Sequence, residues 1–513
     1  MGHRSHPQNR ERDYRQGISD VGSEPRSFFD KLTESQPSAG RLLLLSYHFP
    51  PSRAVGALRW QKLCGYAAAR GYTIDVITLD PSCVGERDAD RLEELPAGVR
   101  IFGVASQRSW VHSLVTRALA LRRAVLRRFR SRDSSSSQPT TTARPPAPRP
   151  DSFAWSELRF IPLSARELGR LYSSWLDYAT MGAWARIAAH IGTQLAATND
   201  YRGIITCGPP HMVHQAGRLV AERTGLPLIL DFRDPWSLVQ RVPEVLAHPL
   251  WRRLAARYEG AAVRAASLVV VNTDPHRTAL QRVYPDVASR IITVTNGYDE
   301  EPLPPQRVGR RFVVGYAGTI YLDRDPRPLF RAAARVIPEL ELSPEDFGLA
   351  FMGSSGSLGG VDVRQMAAEE GVDAYLELRP SGPRRDALDF LANATMLVSL
   401  PQDSDMAIPS KIFEYMRYDA WLLAMAAPES ATSQLLAGTQ ADVVQREDVD
   451  ALARVLRERY QSHRRGETPP RIADDRRFSR ECQADILFTA LERVIKPMSR
   501  QPVLEAAPGA SLV

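Results

Sequence analysis

The chain has 513 residues, a net charge of +7 and hydrophobic and charged fractions of 43% and 24%, which are ordinary values for a globular protein with two or three domains. Only four of the 66 basic residues are lysines, so the positive charge is an arginine bias spread over the whole chain. Such a bias argues only weakly for a polyanionic partner, and we predict no nucleic-acid binding.

The cysteines and the N-terminal residues indicate the cellular compartment of the protein. Cys64, Cys83, Cys207 and Cys482 have neither metal-ligand nor redox spacing, which is typical of a reducing cytosol. Residues 1–39 lack apolar periodicity and predict a disordered tail rather than a secretory signal. No apolar run is long enough to span a bilayer. We therefore predict a cytoplasmic protein, either free or peripheral to the inner face of the plasma membrane.

The first ordered stretch predicts a βαβ unit. Apolar runs at 42–47 and 72–79 flank a proline-bounded loop and a helix, and open α/β sheets bind ligands where such a loop leaves the first strand. Gly56, in this loop, would let a phosphate or sugar approach the backbone, or would simply be a turn glycine. Arg59 could face the same cleft, but in so arginine-rich a chain we expect it to be solvated.

The pattern then changes. Residues 110–130 carry apolar side chains at helical spacing among many arginines, which predicts a basic amphipathic helix. Residues 131–152 are rich in Ser, Thr and Pro and predict a flexible insert. Two interpretations of the basic helix stay open: a surface helix packed on the sheet, or a contact with an anionic membrane surface.

Two later strands of this series end in polar residues. One leads through two prolines to His211, which could contact an acceptor or sugar, or could be a packed or capping histidine. The other is followed by Asp231, Arg233 and Asp234. Because charged residues directly after a buried strand lie at the ligand-binding edge of an open sheet, we predict that one of these three faces the reacting centre.

A second α/β series begins at residue 312. Gly318 and Gly353 follow two of its strands and would let a nucleotide lie close to the sheet edge. Arg324 could grip a diphosphate bidentately, with a surface ion pair as the alternative. Arg379, directly after another strand, is a candidate contact for the base or a phosphate. Two doubly wound sheets without GxGxxG favour a nucleotide-sugar fold over a dinucleotide fold.

The most informative stretch of the second series is a short helix predicted to begin at residue 410. Ser410 is a candidate N-cap, and the free N–H groups of the first turn favour an anion. Lys411 and Glu414 are three residues apart and share one helix face, so a cation for phosphate and a carboxylate for sugar hydroxyls point the same way. This pairing suits a nucleotide sugar.

Several motifs, taken in order, resemble those of GT-B glycosyltransferases of the family 4 type. They are Tyr47-His48-Phe49-Pro50-Pro51 with Gly56, Gly208-Pro209-Pro210-His211, Asp231-Phe232-Arg233-Asp234-Pro235-Trp236, Asn296-Gly297-Tyr298-Asp299, Tyr316-Ala317-Gly318-Thr319 and Lys411-Ile412-Phe413-Glu414-Tyr415. The resemblance covers roughly 41–80 and 201–427. It implies an α/β protein of the GT-B class, with two Rossmann-like doubly wound domains facing an interdomain cleft.

The resemblance also implies a division of the chain. An N-terminal acceptor domain occupies 40–300, a C-terminal nucleotide-sugar domain occupies 301–474, and a helix at 475–497 crosses back to the N-terminal domain. A disordered tail at 498–513 follows. The nucleotide-diphosphate sugar is a co-substrate in such enzymes, and no cofactor or bound metal is expected, because a basic residue and a helix N-terminus neutralise the leaving diphosphate.

Residue by residue, the resemblance implies that Glu414 holds the donor ribose and that Lys411 lies where the diphosphate and sugar pass. Arg324 falls in the loop that supplies a phosphate-binding basic residue, and Arg233 falls where many relatives have a histidine near the reacting sugar. The family pairs two glutamates eight residues apart, but Met406 stands eight residues before Glu414. The donor-sugar carboxylate is then either missing or supplied by residue 403 or 405, both aspartates.

The sequence thus predicts a metal-independent glycosyltransferase that moves a sugar from a nucleotide-diphosphate donor to a hydroxyl of a glycan, a lipid-linked acceptor or a small molecule, with retention of configuration as the resemblance suggests. An epimerase or nucleotide-sugar hydrolase of the same fold is one alternative. A non-catalytic nucleotide-sugar-binding partner in polysaccharide assembly is another, motivated by Met406.

Overall fold

The computed structural model describes residues 25–31, 38–106, 164–239, 242–306, 309–321, 324–353, 357–358, 360–401, 404–469 and 471–495. The predicted basic helix 110–130, the insert 131–152 and the tail 498–513 lie outside these ranges. Within them, no helix is both long enough and apolar enough to cross a bilayer.

A mostly parallel sheet forms the first half of the structure. Its strands are β1 (Phe29–Lys31), β2 (Gly40–Ser46), β3 (Tyr72–Leu79), β4 (Val99–Val104), β5 (Tyr201–Gly208), β6 (Leu228–Phe232), β7 (Leu268–Val271) and β8 (Ile291–Thr293). They lie in the order β1-β4-β3-β2-β5-β6-β7-β8, and only β1 is antiparallel to its neighbour. Because the order reverses between β2 and β5, the loops after these strands open a crevice at the carboxyl edge.

Helices cover both faces of this sheet. They are α1 (Val55–Ala69), α2 (Asp90–Glu93), α3 (Ala165–Thr198), α4 (Met212–Thr224), α5 (Pro249–Ala265) and α6 (Asp274–Val283). Successive side chains of a strand point to opposite faces, so Leu43 and Leu45 pack with α3 and α4, while Leu42 and Leu44 pack with α1. Such continuous apolar strands are typical of a sheet buried on both faces.

A second parallel sheet forms the other half. Its strands are β9 (Phe312–Ala317), β10 (Phe347–Met352), β13 (Leu376–Arg379), β14 (Met396–Ser399), β15 (Trp421–Met425) and β16 (Asp442–Val444), and β11 (Ser357–Leu358) and β12 (Val361–Asp362) form a separate antiparallel pair. The order is β13-β10-β9-β14-β15-β16, so it reverses between β9 and β14. The loops after those two strands therefore open a second crevice at the carboxyl edge of this sheet.

The helices of this half lie on both sides of its sheet. They are α7 (Arg327–Glu339), α8 (Val363–Glu369), α9 (Arg384–Ala392), α10 (Ser410–Tyr415), α11 (Ala431–Leu436) and α12 (Val449–Arg464). A last helix, α13 (Arg480–Val494), follows the second sheet in sequence but buries Leu487 and Phe488 in the apolar cluster of the first. Arg480 also forms an ion pair of 2.6 Å with Asp299. The chain therefore crosses between the two halves twice.

The prediction that residues 1–39 form a disordered tail is wrong for part of that stretch. β1 pairs with the edge strand β4, Phe29 lies opposite Ile101, and Lys31 Nζ donates a hydrogen bond of 2.8 Å to the carbonyl oxygen of Glu93. Phe28 and Phe29 are too isolated to give a periodic signal, yet both pack on the core beneath the sheet. Pairing also covers the otherwise open edge of β4.

Candidate active site

The first side of the site is built around Arg233, which follows β6. Its Nε donates a hydrogen bond of 3.2 Å to the carbonyl oxygen of Gly208, and its Nη2 donates another to that of Pro209. An ideal Cβ on Gly56 would lie 2.9 Å from Arg233 Cζ and closer still to both Nη atoms. Gly56 thus allows the approach of a guanidinium, which is neither the ligand approach nor the simple turn that the sequence offered as interpretations.

Two histidines border this arginine. His211 immediately precedes α4 but does not cap it, and its ring stacks on that of Trp236 with 5.2 Å between the centroids. Burial, the neighbouring His214 and the charge of Arg233 hold the pKa of His211 well below its usual range. Burial and Arg233 lower the pKa of His48 to about 4. Both rings are therefore neutral at pH 7.

Of the three charged residues of which one is predicted to face the reacting centre, Asp231 lies in the interior. It belongs to β6, is fully buried, and accepts hydrogen bonds of 2.9 Å from Arg59 Nε and 2.8 Å from Trp60 Nε1. The expectation that Arg59 is solvated is also wrong, because it is only 5% exposed. A buried carboxylate needs a charged partner, and α1 supplies it from beneath the sheet edge. This pair supports the site without entering it.

Asp234 is an exposed residue of the loop that follows β6. The loop itself is fixed by Glu259 of α5, a buried carboxylate that accepts hydrogen bonds of 2.8 Å from the backbone N–H of Ser237 and 2.7 Å from its hydroxyl. Burial raises the pKa of Glu259. Nothing in the sequence near Glu259 indicated this role, because its partners are far away along the chain.

On the second side, two glycines bring backbone segments into contact at the carboxyl edge of β9 and β10. Gly318 has φ +148° and Gly353 has φ +126°, so both favour glycine. An ideal Cβ on Gly353 would lie 2.6 Å from the carbonyl oxygen of Gly318, and one on Gly318 would lie 3.2 Å from Lys411 Cε and closer to Nζ. The structure thus brings Gly318, Gly353 and Lys411 together.

Lys411 carries a buried ammonium. Its Nζ lies 3.9 Å from the ring centroid of Tyr316 and has no hydrogen-bond partner among the described residues. Burial and, to a smaller extent, the charge of Arg324 lower the pKa of Lys411 to about 7, against the opposing effect of Glu414. A buried cation without a hydrogen bond is costly, and an anionic ligand would remove that cost.

The helix that carries Lys411 differs in one detail from the prediction. Pro409 occupies the N-cap position, and Ser410 is the exposed first helical residue and does not cap the helix. Proline is tolerated here because the first N–H groups have no intrahelical partners. At its other end, the Tyr415 hydroxyl bonds both backbone groups of Ala317, at 2.9 and 3.2 Å, which fixes α10 against the end of β9.

Glu414 lies one turn after Lys411 and is engaged by an arginine. Its Oε1 is 2.6 Å from Arg384 Nη2, and the same nitrogen pairs with Glu301 in the connection between the two sheets. The Glu414 side chain is 22% exposed and that of Arg384 is 54% exposed. Oε1 is buried, so a contact of Glu414 with hydroxyl groups would use the remainder of this partly exposed side chain. Arg384 is a neighbour that the sequence did not suggest, because arginines are so common in this chain.

The remaining predicted donor residues lie at the rim. Arg324 Nη1 donates a hydrogen bond of 3.3 Å to the carbonyl oxygen of Thr319, and its guanidinium lies 4.1 Å from the ring centroid of Tyr321. Arg379 is 54% exposed and directs its guanidinium to Glu377 at 3.4 Å, while its carbonyl accepts a hydrogen bond from the N–H of Gly353. The side chain of Arg379 thus contacts Glu377 and the ring of Phe390, and only its backbone contacts Gly353.

One hydrogen bond joins the two halves at the position where the resemblance expects a glutamate. Thr273 Oγ1, at the start of α6, donates a bond of 2.6 Å to the carbonyl oxygen of Met406. Asp405 is exposed and its carbonyl accepts a hydrogen bond from the N–H of Ala431, whereas residue 403 lies outside the described ranges. Met406 thus contributes its backbone to the contact between the domains.

Comparisons with known proteins support the architecture. No family model matches this chain, and no curated protein is significantly similar to it in sequence. Solved structures are similar in fold. HepE from Anabaena, solved with UDP-glucose, has 14% identity and a TM-score of 0.54, and the match covers 88% of this chain and 100% of HepE.

Two further solved structures agree. Sucrose-phosphate synthase from Thermosynechococcus elongatus has 12% identity and a TM-score of 0.55, covering 89% of this chain and 99% of its own. A UDP-forming α,α-trehalose-phosphate synthase from Burkholderia xenovorans has 13% identity and a TM-score of 0.54, covering 89% and 100%. The protein therefore has the GT-B fold, and the predicted pair of Rossmann-like domains facing a cleft is confirmed.

Proposed function

We propose that this protein transfers a sugar from a nucleotide-diphosphate donor to a hydroxyl acceptor. The observation that carries the proposal is the buried ammonium of Lys411, held over the ring of Tyr316 beside two close-packed glycines and one turn before Glu414. A cation without a hydrogen-bond partner and backbone without side chains suit a diphosphate. An accessible carboxylate next to them suits a ribose diol.

In the proposed reaction, the second domain holds the donor. Lys411 neutralises the charge that develops on the leaving diphosphate, and Arg324 assists from the rim. Preorganised cations stabilise developing charge in the same way in other transfer reactions. Glu414 accepts hydrogen bonds from the ribose, and its contact with Arg384 fixes the carboxylate's orientation. The diphosphate is closest to Gly318 and Gly353, where a side chain would obstruct it.

The first domain holds the acceptor and the reacting sugar. Arg233 is anchored on two backbone carbonyl oxygens and retains N–H groups for a sugar hydroxyl or phosphate oxygen. His211 and His48 are neutral at pH 7 and therefore supply hydrogen bonds without charge. Asp234 is the exposed carboxylate of this edge, and we assign it to the acceptor side. We also propose that the anomeric carbon of the transferred sugar retains its configuration.

The fold neighbours suggest which donor to test first. One was solved with UDP-glucose, and another is UDP-forming. We therefore propose UDP-sugars as the first class of donor, with a glycan, a lipid-linked molecule or a sugar phosphate as the acceptor. All four cysteines are free in the structure, which fits a reducing cytoplasm.

Product analysis with a panel of nucleotide sugars tests the proposal. The intact protein should release nucleoside diphosphate only when a suitable acceptor is present, and Glu414→Gln should weaken donor use by about tenfold or more by removing a charged acceptor of the ribose bonds. Glu429→Gln, a change at an exposed carboxylate, serves as the control. A donor converted without acceptor would instead indicate an epimerase or a hydrolase.

A second candidate function is a non-catalytic nucleotide-sugar-binding subunit. It is favoured by Met406, whose side chain replaces the expected glutamate and whose carbonyl is committed to Thr273. Binding of nucleoside diphosphate without turnover of any donor in the panel would select this alternative. Turnover that persists in the purified chain would eliminate it.

A further inference from the structure

The crevice of the first sheet contains an arginine without a charged partner. The crevice lies where the strand order reverses, between the loops that follow β2 and β5. Arg233 donates from Nε to the carbonyl oxygen of Gly208, at 3.2 Å, and from Nη2 to that of Pro209. Both partners are neutral, and no carboxylate of the described residues pairs with this guanidinium. The side chain is partly exposed, so a ligand can reach it.

The carboxylates nearest to Arg233 along the chain do not compensate its charge. Asp231 is fully buried, and its Oδ2 accepts hydrogen bonds of 2.9 Å from Arg59 Nε and 2.8 Å from Trp60 Nε1. Asp234 is exposed and forms no ion pair with Arg233. Because Asp231 is committed to Arg59, the interior of the crevice keeps a net positive charge.

The imidazole rings around Arg233 are neutral. Burial is the main cause, and the charge of Arg233 adds to it, in lowering the pKa of His48 to about 4 and that of His214 to about 3, although Asp231 opposes the effect at His214. The pKa of His211 is held well below its usual range by burial, by His214 and by Arg233. These rings therefore line the crevice without adding charge.

Two helices begin at this crevice. α1 starts at Val55 and α4 at Met212, and neither helix has a side-chain cap or an acidic residue in its first turn. The first N–H groups of each helix lack intrahelical partners and carry positive partial charge. An ideal Cβ on Gly56, the second residue of α1, would lie 2.9 Å from Arg233 Cζ. A guanidinium beside a helix N-terminus is unfavourable by itself, and an anion between them would be attracted by both.

The rim of the crevice supplies no surplus of negative charge. Arg53, in the loop before α1, donates its backbone N–H to the carbonyl oxygen of Glu86 at 3.1 Å, and both side chains are exposed and opposite in charge. Asp88 lies 3.9 Å from Arg91 in a second pair. The charge of Arg233 thus remains uncompensated among the described residues.

We propose that this crevice binds an anionic group, a phosphate or a carboxylate, on one of the two sugars that meet in the cleft. The sugars are those of the proposed function, on which this step rests, and the anionic group belongs either to the acceptor or to the transferred sugar. Nη1 of Arg233, which has no bond among the described residues, and the N–H groups at the start of α1 donate to it. A neutral hydroxyl would leave the cation uncompensated, so the crevice selects against uncharged analogues.

Inorganic phosphate tests the crevice without knowledge of the natural substrate. Full-length Lys411→Met is the parent protein, so that phosphate cannot bind at the donor site, and binding is followed by phosphorus NMR at constant ionic strength. Adding Arg233→Met should weaken phosphate binding about tenfold or more. Adding Arg233→Lys, which keeps the charge but not the planar fork, should weaken it less. Arg202→Met, at a partly exposed arginine near the amino end of β5, is the matched control and should bind phosphate like the parent.

Two pairs of sugars show which substrate carries the anionic group. Glucose 6-phosphate is compared with glucose in the presence of UDP, and UDP-glucuronate is compared with UDP-glucose, by calorimetry. In one pair the wild type should prefer the anionic member by about tenfold or more. Arg233→Met should lose that preference, bind the neutral member unchanged and keep the wild-type Tm, which a merely structural role of Arg233 would not allow.

Three outcomes would overturn the proposal. Phosphate binds equally well with and without Arg233, or neither pair of sugars shows a preference that depends on Arg233. In the third, Arg202→Met weakens phosphate binding as much as Arg233→Met, which would mean an adventitious ion only, on an arginine-rich surface. The proposed function fails separately: if the wild type bound neither UDP nor any UDP-sugar, while phosphate binding still depended on Arg233, the donor site would be refuted and the anion site would stand.

Discussion

Lys411 Nζ lies 3.9 Å from the ring centroid of Tyr316, and this relationship defines the electrostatics of the second domain. The aromatic face offers a buried ammonium part of the stabilisation that water would give it, but no hydrogen bond. The pKa of Lys411 is accordingly lowered to about 7 by burial. The site is thus poised to gain a proton when an anion enters.

The first prediction concerns pH. A bound diphosphate should raise the pKa of Lys411 above its value of about 7 in the free protein. Affinity for an intact nucleotide sugar should therefore be constant below that pH and fall as pH rises through it, until the raised pKa of the complex is reached. Calorimetry between pH 6 and 9, in buffers of different ionisation enthalpy, should show proton uptake near the upper end of physiological pH.

The matched control for this titration is Lys411→Arg. An arginine remains charged throughout the range, so its residual binding should lose the pH dependence. If the wild type and Lys411→Arg showed the same pH profile, the titrating group would be another one, and the electrostatic account of the site would be wrong.

The second prediction separates stability from function at the same residue. Lys411→Met replaces a buried ammonium that lacks a hydrogen bond by an apolar chain of similar length, so the free energy of unfolding should rise by roughly 1–3 kcal/mol near pH 7. Donor binding should nevertheless be lost. Urea denaturation of Lys411→Met measures the first effect, with Lys62→Met, at a partly exposed lysine paired with Glu94, as the control.

The sign of that effect follows from the direction of the pKa shift. A lysine whose folded pKa lies below its unfolded pKa binds fewer protons when folded, so the penalty is largest below about pH 7 and declines as pH rises toward 10.5. The stability advantage of Lys411→Met should shrink over the same window. An advantage that grows with pH would contradict the burial of Lys411.

The third prediction tests Gly56. In Gly56→Ala the new Cβ would overlap the guanidinium of Arg233 and displace it from the carbonyl oxygens of Gly208 and Pro209. The end of an arginine side chain can move, so the fold should survive, while kcat/KM should fall by about tenfold through loss of a positioned group. Steady-state kinetics and a thermal melt together measure the two effects.

Gly65→Ala is the control, because Gly65 lies on the same helix and a Cβ there meets nothing within 4 Å. It should keep full activity and gain about 0.5–1 kcal/mol of stability from helix propensity. Equal activity of Gly56→Ala and Gly65→Ala would show that the position of Arg233 does not matter to transfer.

The fourth prediction distinguishes a structural from a catalytic Asp231. Asp231→Asn leaves the buried guanidinium of Arg59 without its counter-charge, so the free energy of unfolding should fall by about 3–5 kcal/mol. Asp286→Asn removes the exposed partner of Arg264 and should cost no more than about 1 kcal/mol. Normal stability of Asp231→Asn with a selective loss of kcat would restore the catalytic role that the sequence suggested.

The fold was largely predictable because its signals are local. Apolar runs such as that of β2 predict strands of parallel sheets, and their alternation with helices predicts two doubly wound halves. β1 was missed because it has only three residues, and its partner β4 is about 70 positions along the chain.

The candidate site was predictable in its backbone and less so in its pairings. Gly318, Gly353 and Lys411 meet as their positions after successive strands suggest. The partners of charged residues depend instead on distances between remote elements, so the ion pair of Arg59 with Asp231 and that of Arg384 with Glu414 left no trace in the sequence. Because arginines are so common in this chain, the presence of an arginine at position 59 did not by itself indicate a special role.

Titration of the intact protein with UDP and with GDP, by calorimetry, tests the central claim most directly. The account predicts that at least one of them binds with a Kd within about 1 μM to 1 mM, as expected for an enzyme substrate, and that Lys411→Met abolishes the heat while leaving the protein folded. If neither nucleotide binds, or if Lys411→Met binds as tightly as the wild type, the proposed donor site around Lys411 is contradicted.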